Sequence, residues 1–364
     1  MKWSWRIGKI SGIDVYIHAT FLILLAWVGW QYWAESHDVV ATLVGVAFMA
    51  TIFGCVLLHE FGHALAARRF GIATRDITLL PIGGLARLER MPDKPLQELW
   101  VAIAGPLVNV AIAAGLTLFL LATGGWGSGD LLDVAGGSFL HRLIFVNLVL
   151  VIFNLIPAFP MDGGRVLRAI LALSLNYTMA TQIAATIGQA LALLFGLAGI
   201  LILQNPMLLF IALFVWIGAG QEASMVLMKS ALSGIPASQA MLTDFRAIPP
   251  DADVKAVLQL VMAGSQTDFP VVQDSRIVGI LTRADLLSSL ATRGPQTPVT
   301  DIMQRQFKTV DPGEMLEVAF ARLQECACHT LPVVRNGQLI GLITADNVGE
   351  FLMIQAALAS SHKR

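Results

Sequence analysis

From Leu171 to Gln221 the chain carries no charged residue. Between Glu98 and Glu222 the only charges are Asp130, Asp133, Arg142, Asp162, Arg165 and Arg168. A stretch of this length with so few charges folds in lipid, where every backbone polar group is satisfied within helices or closed barrels. Soluble domains carry about one charged residue in four; here charged residues are 13% and the mean hydropathy is +0.70. After Lys229 the charges become dense, so the chain divides near residue 230. The expected fold class is an α-helical polytopic membrane domain over residues 1–230 followed by a soluble α/β module over 231–364. The net charge of -1 and pI near 6.7 supply no basic field, so nucleic acid is not an expected partner.

Apolar runs predict six spans, at about 15–33, 40–65, 96–121, 139–156, 181–203 and 206–228. The first follows a basic start with Trp3 and Trp5, and it ends in tryptophans instead of a small-residue cleavage site, so it reads as a retained helix. The loops 31–39 and 123–138 contain acids but no Lys or Arg, whereas Arg68-Arg69 follow the second span. The positive-inside rule then places both termini and the soluble module in the cytoplasm of a multi-pass cell-membrane protein. Residues 71–90 contain short β-branched runs around Pro81 and Gly83-Gly84. They read either as a hairpin at the cytoplasmic membrane surface, able to add an extended peptide to its edge, or as a connector. Cys55, Cys326 and Cys328 form no disulfide framework and suggest thiols in a reducing compartment; Cys326-x-Cys328-His329 is too tight for a zinc knuckle.

The second span ends in His59-Glu60-Phe61-Gly62-His63. On a helix, residues four apart share a face, so His59 and His63 can bind one zinc ion, and Glu60 can reach the attacking water as general base. A chance match is the competing reading, but ionisable groups at the end of a membrane-length run mark a functional site. His18, at the start of the first span, either packs within the bundle or faces this pocket. A third zinc ligand is needed with an open fourth position. Asp162 is the best donor, because it follows the break Asn154-Leu-Ile-Pro-Ala-Phe-Pro-Met at the end of the fourth span; the alternative is an Asp capping a helix that starts at Gly163. The third span carries Gly105-Pro-Leu-Val-Asn109, an interior irregularity expected to face the site. From Ala237 the chain repeats itself: Asp268-Phe-Pro-Val-Val recurs as Thr330-Leu-Pro-Val-Val, and Ile277-Val-Gly-Ile-Leu-Thr282 as Leu339-Ile-Gly-Leu-Ile-Thr344. The copies occupy about 237–290 and 297–356.

His59-Glu60-x-x-His63 together with Asn154-x-x-Pro157-x-x-x-x-Asp162-Gly163 resembles the site-2 protease family of intramembrane zinc metalloproteases. Gly105-Pro106-x-x-Asn109 and Gly83-Gly84 are similar to further elements of that family, so the resemblance covers about residues 15–228. It implies one zinc ion per chain held by His59, His63 and Asp162, with Glu60 as acid/base and Asn154 and Asn109 positioning substrate or oxyanion. The implied substrate is a transmembrane protein segment. The repeats resemble a tandem pair of cystathionine-β-synthase (CBS) domains, which implies adenine nucleotide binding with Thr282, Asp285 and Thr344 as candidate contacts, or else docking and homodimerisation. The second copy has Asn347 where the first has Asp285. A CBS-gated, zinc-dependent transporter is the rival reading, disfavoured because the last two spans offer no charged groups to line a pathway.

Overall fold

The computed structural model describes residues 3–92, 94–125, 138–264, 266–326 and 328–361. Contacts divide the chain into two units, Met1–Val226 and Leu227–Arg364. Each is described by itself.

The first unit opens with strands β1 (Ser4–Ile10) and β2 (Ile13–His18), then helices α1 (Ala19–Ser36) and α2 (Val39–Arg69). Strands β3 (Thr74–Leu80) and β4 (Gly83–Leu88) follow, and the four strands form one sheet in the order β1-β2-β3-β4. Strands β2 and β3 run parallel, with the α1–α2 pair as their crossover, while β1–β2 and β3–β4 are antiparallel. The expected first span therefore starts late. Ile13-Asp-Val-Tyr-Ile-His18 alternates apolar with polar residues, and Ile13 and Val15 point inward with Ile77 onto Phe61 and Ala64 of α2. The region read as hairpin or connector is the outer half of this sheet, with β4 at its edge.

Helix α2 has 31 residues, a length of about 46 Å. Asp38 caps its start by accepting from the amides of Val40 and Ala41, and Arg68 and Arg69 lie in its last turn, where the helix dipole favours cations. Helices α3 (Pro95–Ala122), α4 (Phe139–Asn154), α5 (Asp162–Leu171), α6 (Tyr177–Leu201) and α7 (Pro206–Leu232) complete the bundle. Four of these helices, α2, α3, α6 and α7, are long and apolar enough to cross a membrane; α4 is a shorter apolar helix of 16 residues. The acids Asp130 and Asp133 of the loop read as external lie outside the described residues.

The second unit holds two similar repeats. Helix α8 (Val254–Met262), strands β5 (Phe269–Gln273) and β6 (Arg276–Leu281) and helix α9 (Arg283–Thr292) form the first. Helix α10 (Leu316–Glu325), strands β7 (Thr330–Arg335) and β8 (Gln338–Thr344) and helix α11 (Ala345–Ser361) form the second. Each strand pair has a register shift at the same place, between Val271 and Val272 and between Val333 and Val334. The lead-in segments exchange: Leu242 bridges to Leu342 of the second repeat, and Gln304 bridges to Ile280 of the first. Cys326 and Cys328 are joined by a disulfide, with their Cα atoms 5.1 Å apart, which corrects the expectation of free thiols for all but Cys55.

Candidate metal centre

The site is assembled where α2 meets α3 and α5. Helical spacing puts His59 and His63 on one face of α2, where both are buried. Their Nε2 atoms lie 3.0 Å apart, and each is 3.1 Å from Oδ2 of Asp162. These three residues form the one cluster of metal-ligating side chains found among the described residues. Three donors bound tetrahedrally to zinc at about 2.0 Å are about 3.3 Å from one another. The set fits such an ion after opening by about 0.3 Å.

The donors are oriented for this task. Nδ1 of His63 donates to the carbonyl of Val101 at 2.7 Å, which leaves Nε2 with its lone pair toward the centre. Helix α5 begins at Asp162 itself, and its N-cap, Met161, makes no side-chain cap bond. The capping alternative for Asp162 is thus not what the structure shows: its carboxylate is spent on the two histidines. The break before it works through the glycines. A Cβ on Gly163 would collide with the carbonyl of Ile156, and one on Gly164 would lie 2.6 Å from the amide of Phe159, so only glycine lets the turn fold back onto the first turn of α5.

Helix α3 closes the floor. A Cβ on Gly105 would strike Nε2 of His63 and come within 2.7 Å of Nε2 of His59, while one on Gly62 would lie 2.7 Å from the carbonyl of Ala104. Small residues at this crossing allow the helices to approach as membrane helices do. On the other side, Oε2 of Glu60 accepts from the amide of Ala86 at 3.2 Å, and a Cβ on Gly84 would lie 2.5 Å from Cγ of Glu60. Strand β4 therefore packs directly on the acid of the motif. The Ala86 amide and the Val101 carbonyl carry no side-chain signature, so sequence reasoning did not single them out.

The remaining predicted residues are dispersed. Asn109, one turn along α3 from Gly105, is buried with neither its amide nitrogen nor its oxygen hydrogen-bonded among the described residues. Asn154 ends α4 and donates to the carbonyl of Leu150 at 3.0 Å. His18 is not in the cluster: it is the N-cap of α1, its Nδ1 accepting from the Thr20 amide at 3.3 Å and lying 2.8 Å from Thr20 Oγ1. Its place at the strand-to-helix junction explains this role, because an orphan amide there needs an acceptor. In the second unit Thr282 caps α9, accepting from the Asp285 amide and donating to Oδ2 of Asp285 at 2.7 Å. Thr344 does the same with Asn347. Gln304 from the second repeat donates to the Asp285 carboxylate at 2.9 Å.

A zinc metalloprotease of Methanocaldococcus jannaschii is 33% identical over 350 residues, 96% of this chain and 96% of its own. The family model for peptidase family M50 matches residues 47–135 and 127–195. The chain belongs to peptidase family M50. This M50 peptidase also matches the CBS domain model twice, at 237–292 and 299–353. A Synechocystis protein, provisionally named a zinc metalloprotease, is 29% identical across 97% of the chain and 96% of its own length. A solved site-2 protease from Methanocaldococcus jannaschii is 40% identical, covers 61% of this chain and 95% of that one, and has a TM-score of 0.44. The sequence relationships, not that superposition, carry the assignment. The M50 peptidase is a zinc metalloprotease with a tandem CBS pair.

Proposed function

We propose that this M50 peptidase hydrolyses peptide bonds within or beside transmembrane segments, using one zinc ion per chain held by His59, His63 and Asp162. The observation that carries this reading is the convergence of those three donors, from α2 and the first residue of α5, at 3.0–3.1 Å in a bundle of apolar helices. Zinc in such a set supplies Lewis acidity toward the scissile carbonyl and lowers the pKa of the attacking water. Glu60 takes the proton of that water and returns it to the leaving amine. To do so it exchanges its bond with the Ala86 amide for one with the water, and the Gly84 contact keeps its side chain from swinging wide.

The substrate is a transmembrane helix that has unwound near the site, since a helical carbonyl is held in its own hydrogen bond. The edge of β4 supports this role. The Ala86 amide points away from β3, so alternate backbone groups on that edge are available to pair with an extended segment. Asn109 and Asn154 position the substrate or its oxyanion, and the unpaired buried amide of Asn109 is the supporting observation. Residues 1–230 form the protease domain, crossing the cell membrane six times with both termini cytoplasmic. Residues 231–364 form a regulatory module that modulates cleavage by binding adenine nucleotide, or by docking, and pairs two copies of the chain.

A cleavage assay on a model membrane substrate, with the purified full-length protein, tests the enzymatic reading. A zinc chelator is expected to stop cleavage and added zinc to restore it. Cleavage that persists in a metal-free preparation would overturn it, and movement of a solute without cleavage would support the transporter. For the module, ATP, ADP or AMP is expected to raise thermal stability or change the cleavage rate. Ligand held only by the native state stabilises by RT ln(1 + [L]/Kd), about 2.7 kcal/mol at a hundredfold excess over Kd. Absence of heat on titration with all three nucleotides leaves docking as its role.

A further inference from the structure

Arg168 lies on α5, the short helix that begins with Asp162, and it is 0% exposed. Its Nε donates to Oε1 of Glu98 at 2.7 Å and its Nη2 lies 2.5 Å from the same oxygen. Its Nη1 donates to Oε1 of Glu222 at 2.5 Å. The guanidinium carbon lies 5.0 Å from the ring centroids of both Phe159 and Tyr177. Glu98 is in the first turn of α3, Tyr177 opens α6, Glu222 is on α7, and Phe159 is in the turn that leads into Asp162. One planar cation thus ties α5 to three helices and to the turn preceding its own first residue.

The metal centre as described needs such an anchor. The N-cap of α5 contributes no side-chain bond, and the two residues after Asp162 are glycines, which pack closely but have no rotamer to lock. The direction of the Asp162 carboxylate is therefore set by the rotation and axial position of the whole helix. A buried guanidinium bonded to two carboxylates on different helices holds its place, because charge-assisted bonds are strong and the low-dielectric surroundings punish any loss of contact. Rotating α5 would break the Glu98 and Glu222 bonds together.

We propose that Arg168 is a positioning residue for the metal centre: through Glu98 and Glu222 it holds α5 so that Asp162 meets His59 and His63. This inference rests on the reading of Asp162 as a zinc ligand. Neither Glu98, in the first turn of α3, nor Glu222, within α7, serves as a ligand; each reaches inward to bind the cation.

The test uses the full-length protein purified in detergent, with zinc affinity measured by competition with a chromophoric chelator and the site's symmetry read from its visible spectrum with cobalt. Arg168→Lys keeps the charge and loses the fork; its zinc Kd is expected to rise about tenfold or more, with a shifted cobalt spectrum, as for loss of an outer-shell partner. Glu222→Gln is expected to move both readouts in the same direction by less. Ile144→Ala, a cavity variant between α3 and α4, should lower thermal stability while its folded fraction keeps the wild-type Kd. Unchanged Kd and spectrum in both Arg168→Lys and Glu222→Gln would overturn the proposal; if Arg168→Lys does not fold, Glu222→Gln decides alone. Asp162→Ala separates the two levels. If it weakens zinc binding while the Arg168 and Glu222 variants do not, only the positioning role fails; if it too leaves zinc unaffected, the ligand reading fails.

Discussion

Glu60→Gln is expected to lower cleavage of a membrane substrate by on the order of 10³-fold while zinc occupancy stays at the wild-type level. That loss corresponds to about 4 kcal/mol of transition-state stabilisation, within the range general acid–base catalysis supplies. The substitution isolates proton transfer because it disturbs little else. Glutamine retains an oxygen to accept from the Ala86 amide, its volume suits the gap beneath Gly84, and neither histidine depends on Glu60 for its orientation. Metal analysis and a gel-based cleavage assay on the same preparation check both halves of the prediction. Cleavage at the wild-type rate would remove Glu60 from the mechanism. Loss of zinc along with activity would show that Glu60 supports the metal centre instead of the proton.

How far the sequence carried this result depends on which contacts are local. His59 and His63 are neighbours by helical spacing alone, so their pairing was legible from four residues of separation. Asp162 was legible because Pro157, Pro160 and Gly163-Gly164 punctuate an apolar run so abruptly that an acid beside them demanded a reason. The first strands were missed although their signal was present. Ile13, Val15 and Ile17 alternate with Asp14, Tyr16 and His18, but the apolar run that follows absorbed them into one predicted span. The pairing of β2 with β3 across two helices has no local signature at all. Arg168 was legible only as a charge on an apolar background. Glu98 and Glu222 stood at predicted span ends, where acids are ordinarily solvated, and nothing short of the packed bundle brings them to one guanidinium. In the second unit the repeat was visible residue by residue, whereas the exchange of lead-in segments, which pairs Leu242 with Leu342 and Gln304 with Ile280, was not.

Asp162→Ala is expected to weaken zinc binding by more than the roughly 10–100-fold that follows loss of an outer-shell partner, and to abolish cleavage with it. The reason lies in the donor count. Catalytic zinc is held by three protein ligands with a fourth position open. Without Asp162, two imidazoles remain as ligands in a buried site and the cluster loses its one carboxylate donor. Both histidines would also lose the oxygen that now lies 3.1 Å from each of them. A helix-capping role predicts a different pattern: loss of a cap costs about 1 kcal/mol of stability and leaves metal content intact. The two are separated by measuring zinc affinity and thermal stability on the same variant. Full zinc occupancy in Asp162→Ala at wild-type affinity would sink the ligand assignment, even if the protein were less stable. Asp162→Asn sharpens the contrast, since it keeps the shape and one oxygen but removes the charge. Its affinity should fall between the wild type and Asp162→Ala, which ties the loss to the carboxylate rather than to a cavity at the start of α5.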